Sequence, residues 1–138
     1  MKLAPIYNTN VYQTLASRTA KDMGTKDLNL IHAAMGLASD AGEFVDAIKK
    51  HTIYGKPLDY NNAVEELGDV LWFVALACDT LGISMGCVMR ENIDKLTKRY
   101  PEKYTDTAAI ARADKKEDSA STVDPVFSAD FPRTDGEP

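Results

Sequence analysis

The fold is decided by residues 62–81, which read NAVEELGDVLWFVALACDTL. Apolar residues recur there at three- and four-residue steps, the spacing of one helix face: Ala63, Leu67, Val70, Val74, Ala77 and Leu81. The rest of the surface is apolar as well, at Trp72, Phe73, Ala75 and Leu76. A helix that is apolar nearly all round is buried on more than one side. In so small a chain we therefore predict that a second copy covers part of this helix.

Three more helices are predicted around this segment. A helix-breaking residue follows each of four helix-like stretches, at Gly24, Gly55, Gly82 and Pro101. We expect the first helix over about residues 8–22, with Asn8, Thr9 and Asn10 as capping candidates. The second starts after Asp27 and reaches about His51. Its apolar face, which we assign to the core, consists of Leu30, Ala34, Leu37, Ala41, Phe44, Val45 and Ile48.

The boundaries of the last two helices come from capping residues. Asn62 and Glu65 have the spacing of a capping box, which starts the third helix at Asn62. Ser84 is the expected cap of a fourth helix that ends near Tyr100. The result is an all-α, four-helix bundle that oligomerises as a homodimer or homotetramer, with its domain over residues 1–101.

Residues 102–138 differ in composition, since they are acidic and contain Ser, Pro and Asp. Such a composition predicts an irregular C-terminal tail. Its isolated apolar residues suggest that the tail docks on a neighbour: Val126, Phe127 and Phe131.

Charge and composition exclude several classes of protein. A net charge of −5 argues against a nucleic-acid surface, which needs clustered Lys and Arg. The longest apolar run, residues 70–78, is too short to cross a bilayer, and the first residues lack the pattern of a secretion signal. Cys78 and Cys87 form no disulfide framework or zinc motif. We expect a cytoplasmic protein with no membrane or nucleic-acid partner.

Two pairs of carboxylates are the candidate metal-binding residues. Asp40 and Glu43 lie three apart on the second predicted helix, and Glu66 and Asp69 lie three apart on the third, so each pair shares a helix face. An antiparallel hairpin across residues 52–61 would bring the pairs to nearly the same depth, within roughly 5 Å at helical rise. Four unpaired carboxylates repel one another unless hard divalent cations lie between them, and Mg²⁺ is the usual cation where phosphate is handled.

The alternative is that these acids form an ordinary solvated face. Their neighbours argue against it, because small and apolar residues flank them: Ala33, Gly36 and Ala47 on one helix, Phe73 and Leu76 on the other. These surroundings are typical of a pocket lining. Asp46 and Glu65 point elsewhere on their helices and are interpreted as solvated or capping residues.

Two further groups are candidate substrate contacts. Asn92, Lys95 and Arg99 form a polar, cationic stripe on the fourth predicted helix that could bind phosphate oxygens, although Lys and Arg are favoured near a helix C-terminus in any case. Asn29 and His32 extend the face of Asp40 and Glu43 toward the helix N-terminus, and they are candidates for base or sugar contacts. The alternative for His32 is a structural role.

Three blocks of this sequence resemble a known family: Gly36-Leu37-x-x-Asp40-Ala41-Gly42-Glu43, then Glu65-Glu66-Leu67-Gly68-Asp69-Val70-Leu71-Trp72, then Asn92-x-x-Lys95-Leu96-x-x-Arg99-Tyr100-Pro101. Their order and spacing over residues 28–101 are similar to those of the MazG-type, all-α nucleoside triphosphate pyrophosphohydrolases. In one block the chain departs from the family. The usual first block is Glu-Glu-x-x-Glu, whereas this chain has Ser39-Asp40-x-x-Glu43, with one acid fewer and one shorter side chain.

The resemblance implies Mg²⁺-dependent hydrolysis of a nucleoside triphosphate to the monophosphate and pyrophosphate, with Mn²⁺ as a substitute metal. It implies metal ligation by Asp40, Glu43, Glu66 and Asp69, and phosphate contacts from Asn92, Lys95 and Arg99. We assign Glu43 to orienting or deprotonating the attacking water. In its compact size and altered first block the chain resembles small, phage-type members of the family that act on dGTP or GTP, which implies one of these as substrate. Two alternatives stay open: a phosphoribosyl-ATP pyrophosphatase-like enzyme, and a non-catalytic helical oligomer that binds nucleotides or a partner protein.

Overall fold

The computed structural model describes Ile6 and residues 8–115, and all regular structure in this part of the chain is helical. In chain order the elements are α1 (Thr9–Ser17), α2 (Lys26–Thr52), α3 (Tyr60–Leu81), α4 (Met85–Arg99), α5 (Asp106–Ala111) and a 3₁₀ turn (Ala113–Lys115). The predicted all-α class is confirmed. The described residues form two compact units that divide between Met85 and Gly86. In this part of the chain, no single helix is long and apolar enough to cross a membrane.

Helix α1 begins where the sequence predicts and ends earlier. Its N-cap is Asn8, whose side-chain oxygen accepts hydrogen bonds from the backbone N–H groups of Asn10 (2.9 Å) and Val11 (3.2 Å). The helix ends at Ser17 and not near Asp22. After Ser17 the backbone forms turns, in which Thr19 N donates to Ala16 O and Ala20 N donates to Ser17 O at 3.0 Å each, and the Thr19 hydroxyl donates to Ala16 O at 2.7 Å.

Helices α2 and α3 both begin before the predicted residues. Thr25 caps α2, which starts at Lys26, and its hydroxyl accepts from Leu28 N at 3.2 Å. Asp59 caps α3, and its carboxylate accepts from Asn62 N at 3.1 Å. The predicted capping box of Asn62 and Glu65 is therefore wrong, because Asp59 supplies the acceptor and places Asn62 inside the helix.

The first unit is an α2–α3 hairpin with α1 packed on α3. Its apolar cluster contains Ala16, Ala75, Cys78 and Met85. Gln13 of α1 is only 2% exposed, and its amide bonds two backbone groups of the α3–α4 connection. Its nitrogen donates to Ile83 O at 3.1 Å, and its oxygen accepts from Met85 N at 2.7 Å. This amide joins α1 to the end of α3 through two backbone hydrogen bonds.

The inward face of α2 differs from the predicted one. Ala34, Ala41 and Val45 are exposed, Val45 at 62%, whereas Ala33 and Ala47 are buried. The larger residues Leu30, Leu37, Phe44 and Ile48 are half-buried at the margins. The prediction followed the largest apolar side chains, but the centre of this face is made of small and acidic residues. A similar shift occurs on α3, where Leu67 and Leu81 are exposed and Glu66 is buried.

The second unit contains regular structure where an irregular tail was predicted. Thr105 caps the six-residue helix α5, and its hydroxyl accepts from Ala108 N at 3.1 Å. The 3₁₀ turn follows and places Asp114 in a buried position. Composition did not reveal these elements because they are too short for a helical period to be recognised. The proposed docking residues Val126, Phe127 and Phe131 lie outside the described part of the chain.

Candidate functional site

The antiparallel pairing of α2 and α3 is fixed at two places. The ring of Phe73 occupies the space beside Gly36, where an added Cβ would overlap it. Nearer the connecting loop, Ala47 and Asn62 line one cavity. Between these two places, at matching steps along both helices, lie Asp40 and Glu43 on α2 and Glu66 and Asp69 on α3. The hairpin therefore brings the four predicted acids to the same depth on facing sides of the two helices.

Mutual repulsion among these acids appears in their pKa values. Burial raises the pKa of Asp40, and the charges of Asp69 and Glu43 raise it further. Burial likewise raises the pKa of Glu66, with added repulsion from Glu43 and Asp40, and then from Asp69 and the neighbouring Glu65. The carboxylates on each helix thus raise the pKa of an acid on the other helix. The four carboxylates form one electrostatically coupled group, which we call the acidic quartet.

Burial within the acidic quartet is uneven. Glu66 is only 7% exposed, and it makes no hydrogen bond or ion pair within the described residues. Asp40 is half-buried, and Glu43 and Asp69 are exposed. Among the described residues, no three His, Cys, Asp or Glu side chains lie close enough together to hold a metal ion. The four carboxylates nevertheless concentrate negative charge in one place, and this charge attracts cations.

An aromatic group adjoins the acidic quartet on the side away from the hairpin loop. The rings of Trp72 and Phe73 meet edge to face with their centroids 4.8 Å apart. The centroid of the His32 ring lies 5.7 Å from that of Phe73 and 6.5 Å from that of Trp72. The indole N–H donates to the Thr19 hydroxyl at 2.8 Å, and Trp72 packs against the apolar cluster. The Nδ1 atom of His32 is buried and has no hydrogen-bond partner within the described residues.

Asn29 makes local hydrogen bonds. Its side-chain oxygen accepts from Met23 N at 2.9 Å, and its nitrogen donates to the Asp22 carboxylate at 3.2 Å. The hydrogen bond from Gly24 N, and then that from the Asn29 side chain, lower the pKa of Asp22. Asn29 therefore stabilises the turn before α2, and its proposed contact with a base or sugar stays a prediction.

The three predicted phosphate contacts lie on α4, in the second unit. Asn92 and Lys95 are exposed. Arg99 is engaged by Asp114, to which its Nε and Nη2 atoms donate at 2.6 Å each. This pairing raises the pKa of Arg99 and lowers the pKa of Asp114 to about 2. Sequence reasoning missed Asp114, because no periodic pattern connects two residues on different short elements.

An all-α protein with two facing Asp/Glu pairs on one helical hairpin is the class that the fold and the site define. Residues 31–104 match the model of the MazG nucleotide pyrophosphohydrolase domain. The chain belongs to this family of nucleotide pyrophosphohydrolases, whose members generally use a divalent metal.

Two relatives share sequence with this chain. Gene 37 protein of Mycobacterium phage L5 is 33% identical over 102 residues, which cover 67% of this chain and 88% of the relative. The uncharacterized protein YvdC of Bacillus subtilis (strain 168) is 32% identical over 73 residues, which cover 46% of this chain and 69% of that protein. No solved structure matches the chain significantly.

Proposed function

We propose that this protein hydrolyses a (deoxy)nucleoside triphosphate to the monophosphate and pyrophosphate in a Mg²⁺-dependent reaction. The observation that supports this proposal is the acidic quartet, in which Asp40 and Glu43 face Glu66 and Asp69 and repel them. Cations that arrive bound to the substrate phosphates would offset the repulsion among these four carboxylates.

The acidic quartet offers the donor atoms that a hard divalent cation prefers, although no three of its side chains lie close enough together to hold one in this structure. All four members of the quartet offer carboxylate oxygens, the preferred ligands of Mg²⁺. The Glu66 carboxylate makes no hydrogen bond or ion pair within the described residues, so its oxygens are free to bind a cation. Asp40, Glu43, Glu66 and Asp69 would hold the metal, and Mn²⁺ would substitute for Mg²⁺. When bound, the metal polarises phosphate oxygens, activates water and neutralises the charge of the leaving pyrophosphate.

The side chains favour direct attack by water at the α-phosphorus. Glu43 is the proposed residue that orients or deprotonates this water, because it is exposed beside the buried Glu66. No described residue suggests a covalent intermediate. Burial raises the pKa of the Cys78 thiol, which makes it a poor nucleophile, and no nucleophile is hydrogen-bonded to His32 or His51.

The proposed substrate contacts are the residues that the sequence predicts. Asn92, Lys95 and Arg99 are proposed to bind phosphate oxygens. Asn29 and His32 are proposed to contact the base or sugar. We propose dGTP and GTP as the first substrates to examine, and a cytoplasmic homodimer or homotetramer as the working form.

The proposal is tested by incubating the purified protein with each of the eight common NTPs and dNTPs and with phosphoribosyl-ATP. Pyrophosphate and orthophosphate are measured separately, with Mg²⁺ and with EDTA. We expect Mg²⁺-dependent release of pyrophosphate from at least one nucleoside triphosphate. Orthophosphate as the first product would contradict cleavage between the α- and β-phosphates. A complete absence of pyrophosphate release would instead support a non-catalytic oligomer.

A further inference from the structure

A cavity of about 340 Å³ lies at the loop end of the α2–α3 hairpin and is lined by Ala47, Lys50, Lys56, Pro57, Asp59 and Asn62. Its position relative to the acidic quartet follows from helix geometry. Ala47 comes four residues after Glu43, and Asn62 comes four residues before Glu66. Four residues are one helical turn, or about 6 Å along each helix. The cavity is therefore the next space along the same facing sides of α2 and α3.

The lining of this cavity carries free positive charge. Lys56 makes no ion pair within the described residues. Lys50 contacts Asp46 at 2.8 Å, but Asp46 also binds Lys49 at 2.6 Å, so one carboxylate serves two ammonium groups. Asp59 also lines the cavity, and its carboxylate accepts from Asn62 N as the N-cap of α3, so the lining has two positive charges against one negative charge. The cavity thus presents two lysines with incomplete neutralisation, together with the polar side chain of Asn62.

The loop backbone holds the two lysines near each other. Lys56 N donates to Lys50 O at 3.2 Å, and a hydrogen bond of 2.8 Å joins the His51 ring nitrogen Nδ1 to Lys56 O. Gly55 makes the turn between them with a φ of +63°, in the left-handed region that favours glycine. The loop backbone therefore arranges a cationic site that sequence spacing alone does not reveal.

Three groups of different chemistry follow one another along the α2–α3 hairpin. The aromatic group of His32, Trp72 and Phe73 lies at one end, the acidic quartet in the middle, and the cavity at the other end. Lys50 is seven residues beyond Glu43, or about 10 Å along α2. Aromatic surfaces suit a base, carboxylates suit a metal, and ammonium groups suit phosphate oxygens.

We infer that the cavity of Lys50, Lys56 and Asn62 binds the distal phosphates of the substrate, the group that leaves as pyrophosphate. This inference rests on the proposed function and deepens it, because it orients the substrate along the hairpin. The α-phosphate lies at the acidic quartet, and the pyrophosphate end lies against the two lysines.

The structure supplies a matched control for the experiment. Lys49 and Lys50 are adjacent and bind the same Asp46 carboxylate, but only Lys50 lines the cavity. Lys50→Gln and Lys56→Gln are compared with Lys49→Gln in inhibition assays with inorganic pyrophosphate and Mg²⁺. We expect the first two variants to bind pyrophosphate about tenfold more weakly, since each loses a charge-assisted contact. Lys49→Gln should resemble the parent.

A second ligand separates a local contact from a general loss of positive charge. The nucleoside monophosphate product lacks the distal phosphates, so its inhibition constant should change little in all three variants. Equal weakening of pyrophosphate and monophosphate binding would overturn the inference, and so would Lys50→Gln and Lys56→Gln variants that behave like Lys49→Gln.

The outcome can be told apart from failure of the proposed function. If no triphosphate is hydrolysed, calorimetric titration of pyrophosphate with Mg²⁺ into the same four proteins decides the question. Binding that is lost in Lys50→Gln and Lys56→Gln supports the cavity as a pyrophosphate site even though the enzymatic proposal has failed. No binding to the parent overturns the inference as well.

Discussion

The ring of Phe73 lies against Gly36, in the space that any larger residue at position 36 would need. The ring cannot move away freely, because Trp72 and His32 both contact it edge to face. Glycine at this position therefore lets α3 place an aromatic side chain against α2, one helical turn from Asp40. The packing of the hairpin and the position of the acidic quartet depend on the same contact.

Gly36→Ala is expected to destabilise the protein. Alanine normally favours a helix over glycine by about 1 kcal/mol, but here the added methyl group must displace the Phe73 ring, and overpacking costs about 1–3 kcal/mol. The net effect should be a lower free energy of unfolding, measured by urea denaturation. Gly42→Ala is the control, because a Cβ at Gly42 meets no atom within 4 Å. That variant should be stabilised by about 0.5–1 kcal/mol, and a stabilised Gly36→Ala would contradict the packing argument.

Gln13→Met should lower the free energy of unfolding by about 2–4 kcal/mol. The buried amide bonds both Ile83 O and Met85 N, and methionine would leave two backbone groups without partners at about 1–3 kcal/mol each. Thermal or urea denaturation measures the change. Thr14→Val on the neighbouring exposed position removes only a bond to Asn10 O within α1 and should change stability by less than about 0.5 kcal/mol. A Gln13→Met variant as stable as Thr14→Val would show that the two side-chain hydrogen bonds of Gln13 contribute little to the free energy of unfolding.

The hairpin and the common depth of its acids could be predicted from sequence, because helical periodicity fixes which residues share a face. The inward face of α2 could not. Large apolar residues such as Met35 and Val45 are exposed in the single chain, whereas Gly36 and Asp40 face α3. Hydrophobicity alone does not distinguish burial within one chain from a surface left for another copy.

Contacts made by loops and short turns were also beyond sequence patterns. The pairing of Arg99 with Asp114 spans 15 residues and depends on a 3₁₀ turn after α5. The cavity lysines belong to one helix end and one loop, and the hydrogen bonds of His51 and Lys56 bring them together. Periodicity describes neither situation, since it relates residues only within one regular element.

The Asp114 carboxyl should titrate near pH 2, because hydrogen bonding to Arg99 lowers its pKa from the ordinary 3.8. A lowered pKa in the folded state means that the pair stabilises its unit fully above about pH 4 and loses this contribution as the pH falls toward 2. The test is NMR titration of the side-chain carboxyl carbon. Arg99→Gln should raise the midpoint clearly, since burial then acts without the compensating partner. Arg112→Gln should change it little, because Arg112 is a minor cause of the shift. A parent midpoint near 3.8 would contradict the pairing.

Exposed apolar side chains on α2 and α3 predict a homo-oligomer. They recur at helical spacing on α2 at Leu28, Ile31, Met35 and Val45, and on α3 at Tyr60, Val64, Leu67 and Leu71. Since Met35 is 68% exposed, Met35→Lys should leave the fold of the chain intact and weaken the association of copies. Light scattering at micromolar concentration should give a dimer or tetramer for the parent and a smaller mass for the variant. Asn61→Lys adds the same charge at an exposed polar position and should keep the parental mass. A monomeric parent would refute the prediction.

Asp69→Asn separates a metal site from a structural network. The change keeps the side-chain shape and removes one charge from the acidic quartet. We expect turnover to be nearly abolished, while stability in EDTA stays equal or rises, because Asp69 contributes to raising the pKa values of Asp40 and Glu66. Added Mg²⁺ should raise the melting temperature of the variant less than that of the parent, since binding to the native state stabilises by linkage.

The structure already limits the alternative reading of Asp69. A structural acid would hold a buried hydrogen bond or salt bridge, and its loss would cost about 1–3 kcal/mol with or without metal. Asp69 is exposed and makes no such bond within the described residues. Asp79→Asn, also exposed on α3, is the control and should retain both turnover and the full response to Mg²⁺. Thermal melts of the three proteins with EDTA and with excess Mg²⁺ provide the comparison. A metal-independent loss of stability in Asp69→Asn would remove this residue from the proposed metal ligands, because a ligand's contribution to stability depends on the metal that it binds.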